Sequence, residues 1–175
     1  AALFQAVGFF MLLFPVSLAA GICEQTNLFA FQEQQKYRAT KTDRSHGVVD
    51  FEDLTVPEFY CFLGVCIALS IGPPGPPRNA WSNIDAGGFV SAKMGRIMPR
   101  DRWLNIKKYL HFTDNSTLTP PGQTGYKKTG KLGEVPDTLN DLFVFYFTIG
   151  SRANVDEAMI KAYHRSHIRQ YMKNK

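Results

Sequence analysis

No charged residue precedes Glu24, and no acidic residue follows Glu157. The second absence locates the net charge. Five bases (Lys161, Arg165, Arg169, Lys173 and Lys175) lie beyond Glu157, while the whole chain carries 20 Lys+Arg against 15 Asp+Glu, a net +5. Residues up to Glu157 therefore balance, 15 against 15. The sequence pI near 9.2 favours an acidic partner, a nucleic acid or a membrane surface, with the excess gathered at one end. The first absence makes Ala1–Cys23 resemble a signal peptide in composition. It has neither an initiating Met nor a basic leader, and Pro15 interrupts it. A buried helix-turn-helix edge of a larger core is expected there, not a membrane segment.

Cysteine is scarce: Cys23, Cys61 and Cys66 are the full set, with no CxxC and no Cys/His cluster. An odd number without framework spacing excludes a disulfide scaffold and argues against a zinc site. All three are expected to be buried apolar residues in a reducing compartment. His164 and His167, three apart in an Arg-rich run, are not a metal signature without further ligands. There is no internal repeat. Hydrophobic content of 45% with 20% charged residues fits a globular chain, long enough at 175 residues for one ordinary core.

Phe10, Leu13, Phe14, Leu18, Ile22 and Phe29 recur at helical spacing, predicting a helical region over 10–32 broken or started at Pro15. Residues 36–53 are polar and aperiodic, a loop. Thr55-Val56-Pro57-Glu58 is a helix start, with Thr55 as cap and Glu58 placed for a capping box. The helix that follows is apolar on every side, which suits the centre of a domain. Residues 71–81 carry too many prolines and glycines for regular structure. Met98-Pro99-Arg100-Asp101 opens another helix with Trp103, Ile106 and Leu110 facing inward. Trp81 and Trp103 are expected in the core, not as stacking platforms.

Residues 113–133 form a long loop rich in Thr, Gly and Pro. Its sequon, Asn115-Ser116-Thr117, is read as a chance match. Residues 134–149 are ambiguous, but Thr138, Asn140 and Asp141 between Val135, Leu139, Leu142/Phe143 and Tyr146 favour a helix, closed by Gly150. Asn154 to Ile160 reads as a strand, with Asp156, Ala158 and Ile160 on one face and Val155, Glu157 and Met159 on the other. A carboxylate on a strand followed by concentrated positive charge suggests a place where a metal ion and a phosphate backbone meet.

Several ordered blocks carry a family resemblance over roughly residues 10–175. LLFPVSLAAGICEQTNLFA resembles the "LFFxxxLxxxIxxETNxYA" opening of piggyBac-type transposases, and LTVPEFYCFLGVCIALSIG their "LTxxEFxxFLGxxIxMGI" helix. Ala80-Trp81-Ser82 resembles "YWS", and MPRDRW followed by LHFTDN resembles "MSRDRF…LHFxDN". Asn154–Arg165 is similar to "LSVDEAMIPFKGR", and Arg169–Lys175 to "xxYMPxKP". The departures are Lys161-Ala162-Tyr163-His164 for "PFKG", Lys173 for the first Pro of the last block, and Ala80 for Tyr.

The resemblance implies a mainly α region over 1–150, for dimerisation and DNA binding, with loops near 36–53, 71–85 and 113–133. It implies that 151–175 is the first strand and start of a truncated RNase H-like α/β catalytic domain. Asp156 takes the place of the first of three catalytic aspartates. The implied cofactor is Mg²⁺, a hard ion suited to carboxylates, held only in a complete, longer protein because one Asp cannot hold two ions in register. The implied partners are DNA and a second copy of the chain, in the nucleus, with no small-molecule substrate and no membrane. Cleavage by these 175 residues alone is not expected; a non-catalytic DNA-binding protein or a degenerate transposon-derived product are the other readings. The candidate phosphate contacts are Arg100, Arg102, Lys107 and Lys108 on the helix opened by Met98-Pro99, Lys127, Lys128 and Lys131 on the loop, and Arg165, Arg169 and Lys173 at the end. None of these would read sequence.

Overall fold

The computed structural model describes residues 2–40, 50–71, 77–82, 94–148 and 150. Its elements are α1 (Ala2–Leu13), α2 (Val16–Thr40), α3 (Val56–Ile71), α4 (Arg100–Tyr109) and α5 (Val135–Tyr146). Short 3-10 turns lie at Pro77–Trp81, Met94–Arg96, Asn115–Thr117 and Gly130–Leu132. The described part is thus mainly helical and holds no strand. The strand expected at Asn154 to Ile160 lies outside the described residues.

Pro15 separates α1 from α2 because it has no N–H to continue the first helix. Its carbonyl accepts from the Ala19 N–H at 3.1 Å and so begins the second. The two helices bend by 61°; together they pass a test of length and composition for a membrane span, while no single described helix does. The residue just after α1 meets α3 through Tyr60, whose hydroxyl donates to the Phe14 carbonyl at 3.0 Å. α1 itself reaches Tyr60 through the Phe10 ring. It also lies beside α5.

The core forms where α2 packs on α3 and α4. Ala19 and Ile22 of α2 meet Phe59 and Val65 of α3 and Trp103 and Ile106 of α4, all nearly or fully buried. The inward row of α4 is Trp103, Ile106 and Tyr109; Leu110, expected in that row, is only partly buried. Trp81 and Trp103 lie in the core with ring centroids 5.4 Å apart, as expected.

Four expectations are corrected. α2 continues to Thr40, into the stretch read as a loop, supported by the Lys36–Glu33 pair at 2.8 Å and by Arg38 reaching Asp50 at 2.6 Å. α3 is not buried all round: Phe59, Phe62 and Val65 face the core, whereas Cys61, Ile67 and Ile71 are exposed, because α2 and α4 cover one side only. Residues 77–81 do form a regular turn, which lets the Trp81 indole donate to the Met98 carbonyl at 2.8 Å. α5 ends at Tyr146 with the Phe147 N–H bonded to the Phe143 carbonyl, short of Gly150.

Two of the three cysteines, Cys61 and Cys66, also differ from expectation. Cys23 is buried, Cys61 exposed and Cys66 intermediate. Burial, then the charges of Glu58 and Glu24, push the Cys23 thiol up to about 11, so it stays protonated and inert at neutral pH.

Candidate nucleic-acid-binding surface

The residues that carry the sequence blocks bind one another. Thr26, fully buried on α2, donates its hydroxyl to the His111 carbonyl and accepts from the His111 N–H, both at 3.2 Å. Asn27 pairs its amide with the Leu54 backbone, accepting from the N–H at 2.8 Å and donating to the carbonyl at 3.2 Å. Phe29 stacks on the His111 ring at 3.6 Å. One turn of α2 therefore fixes both the entry to α3 and the exit from α4. Thr26→Val keeps the shape and leaves two part-buried backbone groups of His111 without their partner. It is expected to lower stability by about 1–3 kcal/mol in urea unfolding.

Beyond His111 the chain turns sharply. Asp114 caps the Asn115–Thr117 turn by accepting from the Ser116 N–H at 2.9 Å. That bond, helped by Gln32 and the nearby His111, holds the Asp114 carboxyl below the usual carboxylate range.

Arg102 is engaged within the protein. Its Nε and Nη2 each donate to a Glu58 carboxylate oxygen at 2.6 Å, and Nη1 donates to the Glu52 carbonyl at 2.8 Å. Its guanidinium carbon sits 4.9 Å from the Phe51 ring centre. The Glu58 hydrogen bonds, with the acidic neighbours Glu58, Glu52 and Asp53, hold the guanidinium charged beyond the ordinary arginine range, against the effect of burial. Arg102, expected as a phosphate contact, ties α4 to the start of α3. Glu58 meets only half of the capping box. Its N–H bonds Thr55 Oγ1 at 3.4 Å, while its carboxylate goes to Arg102.

The other cations of α4 are exposed. Arg100 pairs with Asp101 at 3.5 Å. Lys107 lies over Trp103 at 5.1 Å, and Lys108 lies over Tyr109 at 4.6 Å while donating to its hydroxyl at 3.1 Å. Lys127, Lys128 and Lys131 are exposed, with no side-chain partner among the described residues. The structure thus divides the seven described candidates: Arg102 is bound by Glu58, Arg100, Lys107 and Lys108 lie against neighbours on α4, and the three loop lysines have no side-chain partner among the described residues.

A groove of about 390 Å³ between α2 and the start of α5 has Ser17, Glu24, Gln25, Glu134 and Thr138 on its walls and no basic residue, so it does not suit a phosphate. Among the described residues no group of three or more His, Cys, Asp or Glu is placed to hold a metal ion. Asp156, Glu157, His164, His167, Arg165, Arg169 and Lys173 lie outside the described residues. Sequence reasoning missed the roles of Thr26, Asn27 and Glu58. Their signal was present in the QTN and VPEF blocks, which were used for the resemblance alone.

Comparison with known proteins agrees with those blocks. The family model described as Transposase IS4, a DDE-type transposase domain, matches residues 5–175. PiggyBac transposable element-derived protein 5 of Homo sapiens is 31% identical over 108 residues, 61% of this chain. That stretch spans 18% of the length of the human relative. No solved structure matches.

Proposed function

This chain belongs to the piggyBac-type transposase family, and from that premise we propose that it is the helical, DNA-binding front of a DDE-type transposase or of a domesticated derivative. The observation that carries the reading is a family match running across both the helical body and residues 151–175. On this reading residues 1–150 form the DNA-binding and dimerising region, and 151–175 begin an RNase H-like catalytic domain. Asp156 is then the first catalytic aspartate, and the protein works on DNA in the nucleus.

The ancestral reaction is metal-dependent DNA strand cleavage and transfer. Such chemistry needs several carboxylates in register, because a hard divalent ion such as Mg²⁺ takes oxygen ligands from more than one side. Asp156 supplies one of them. The 175 residues alone therefore bind DNA without cutting it. The second reading, a non-catalytic DNA-binding derivative, is favoured by Lys161-Ala162-Tyr163-His164 standing where the family has "PFKG".

Fluorescence anisotropy of the 175-residue chain with a labelled duplex tests the first reading. The expected result is binding whose logarithm falls linearly with the logarithm of salt concentration, with an intact duplex after incubation with Mg²⁺. Absence of binding at low salt would remove the DNA-binding role. Cleavage by the chain alone would remove the argument from a single carboxylate.

A further inference from the structure

We propose that the loop over residues 119–133 is the element that grips the sugar–phosphate backbone, through Lys127, Lys128 and Lys131. The inference rests on the DNA-binding reading above and names the contact within it. From Asn115 to Gly133 the chain holds no acidic residue, and the exposed Glu134 that follows makes no ion pair with these lysines. All three are exposed and lack a side-chain partner among the described residues. On α4, by contrast, Arg102 is bound by Glu58, Arg100 faces Asp101, and Lys107 and Lys108 rest on aromatic rings.

The loop is built to present them. Gly122 and Gly125 take φ of 87° and 90°, a region that favours glycine and turns the chain sharply. The Gly130 N–H bonds the Lys127 carbonyl at 3.0 Å, and the Leu132 N–H bonds the Thr129 carbonyl at 2.8 Å. These bonds coil the backbone around the three lysines. Gly133, at φ 57°, fastens the base: a Cβ there would come within 2.3 Å of the Phe112 carbonyl oxygen. Phe112 follows His111, which Thr26 locks to α2. A backbone already fixed loses little further entropy when a ligand binds.

The partner is a nucleic-acid backbone, held through its phosphates and not through its bases. A peptide interface would call for apolar or aromatic anchors beside the charges. In the loop the large apolar side chains are Tyr126, half-buried, and Leu132, 40% exposed, with no aromatic or aliphatic cluster beside the three lysines. Lysine ammonium groups are point charges suited to phosphate oxygens, and they position a duplex without reading its bases.

The test uses the full 175-residue chain and a random-sequence duplex in a salt titration. Lys127→Gln/Lys128→Gln/Lys131→Gln is expected to make the log–log salt slope shallower by about 2.7, and Lys127→Gln alone by about 0.9. Both should keep the wild-type melting curve. Lys107→Gln/Lys108→Gln should leave the slope as it is. If the wild type binds DNA and neither loop variant changes its slope, the loop proposal is overturned and the DNA-binding reading stands. If the wild type does not bind, the DNA-binding reading fails first. Displacement of the duplex by poly-glutamate at equal charge concentration would overturn the assignment of the loop to nucleic acid.

Discussion

Arg102→Met is expected to lower the stability of the chain by about 3 kcal/mol, read as a lower urea midpoint with an unchanged slope. The size follows from what the side chain does. It satisfies both oxygens of Glu58 at 2.6 Å and the Glu52 carbonyl at 2.8 Å, joining residues 44 and 50 positions apart in sequence. The Arg102 side chain is 14% exposed and that of Glu58 28%, so water replaces the lost partner poorly. Breaking a fully buried pair costs about 3–5 kcal/mol, and the exposure of Glu58 places this pair at the low end. Replacing both partners, Glu58→Leu/Arg102→Met, leaves no uncompensated charge and is expected to recover most of the loss. A single variant as stable as the wild type would show that the pair holds nothing together.

Asp156→Ala carries the largest functional effect. In a longer form that cuts DNA, the substitution is expected to reduce Mg²⁺-dependent cleavage on the order of 10³-fold or more, the equivalent of several kcal/mol of transition-state stabilisation. DNA affinity should be kept or should rise slightly, because removing a negative charge close to phosphates reduces repulsion. The split between the two readouts is diagnostic, since a misfolded protein would lose both. Cleavage close to the wild-type rate would remove Asp156 from the proposed mechanism.

Where the fold was legible in the sequence, the signal was local. Pro15, Thr55 and the Met98-Pro99 step mark helix starts through bonds made within one turn, and all three coincide with observed boundaries. The polar residues inside the sequence from Val135 to Tyr146 separated a helix from a strand, and α5 is a helix. What escaped depends on distant partners. Arg38 extends α2 by meeting Asp50, and α3 has an exposed side that carries Ile67 and Ile71. Arg102 looked like one more solvent-facing cation, because its partner lies on another helix. The candidate site was legible only through the blocks: spacing alone gave a carboxylate on a strand, and the resemblance gave Asp156 its role.

The central claim is that the sequence blocks of this family lock the helical body together, while DNA affinity comes from cations left unpaired. The most direct measurement is the salt dependence of DNA binding by Glu58→Leu/Arg102→Met, which keeps the fold and removes the arginine. The account predicts the wild-type log–log slope. A slope shallower by about 0.9, one phosphate contact, would contradict it and return Arg102 to the DNA-binding surface.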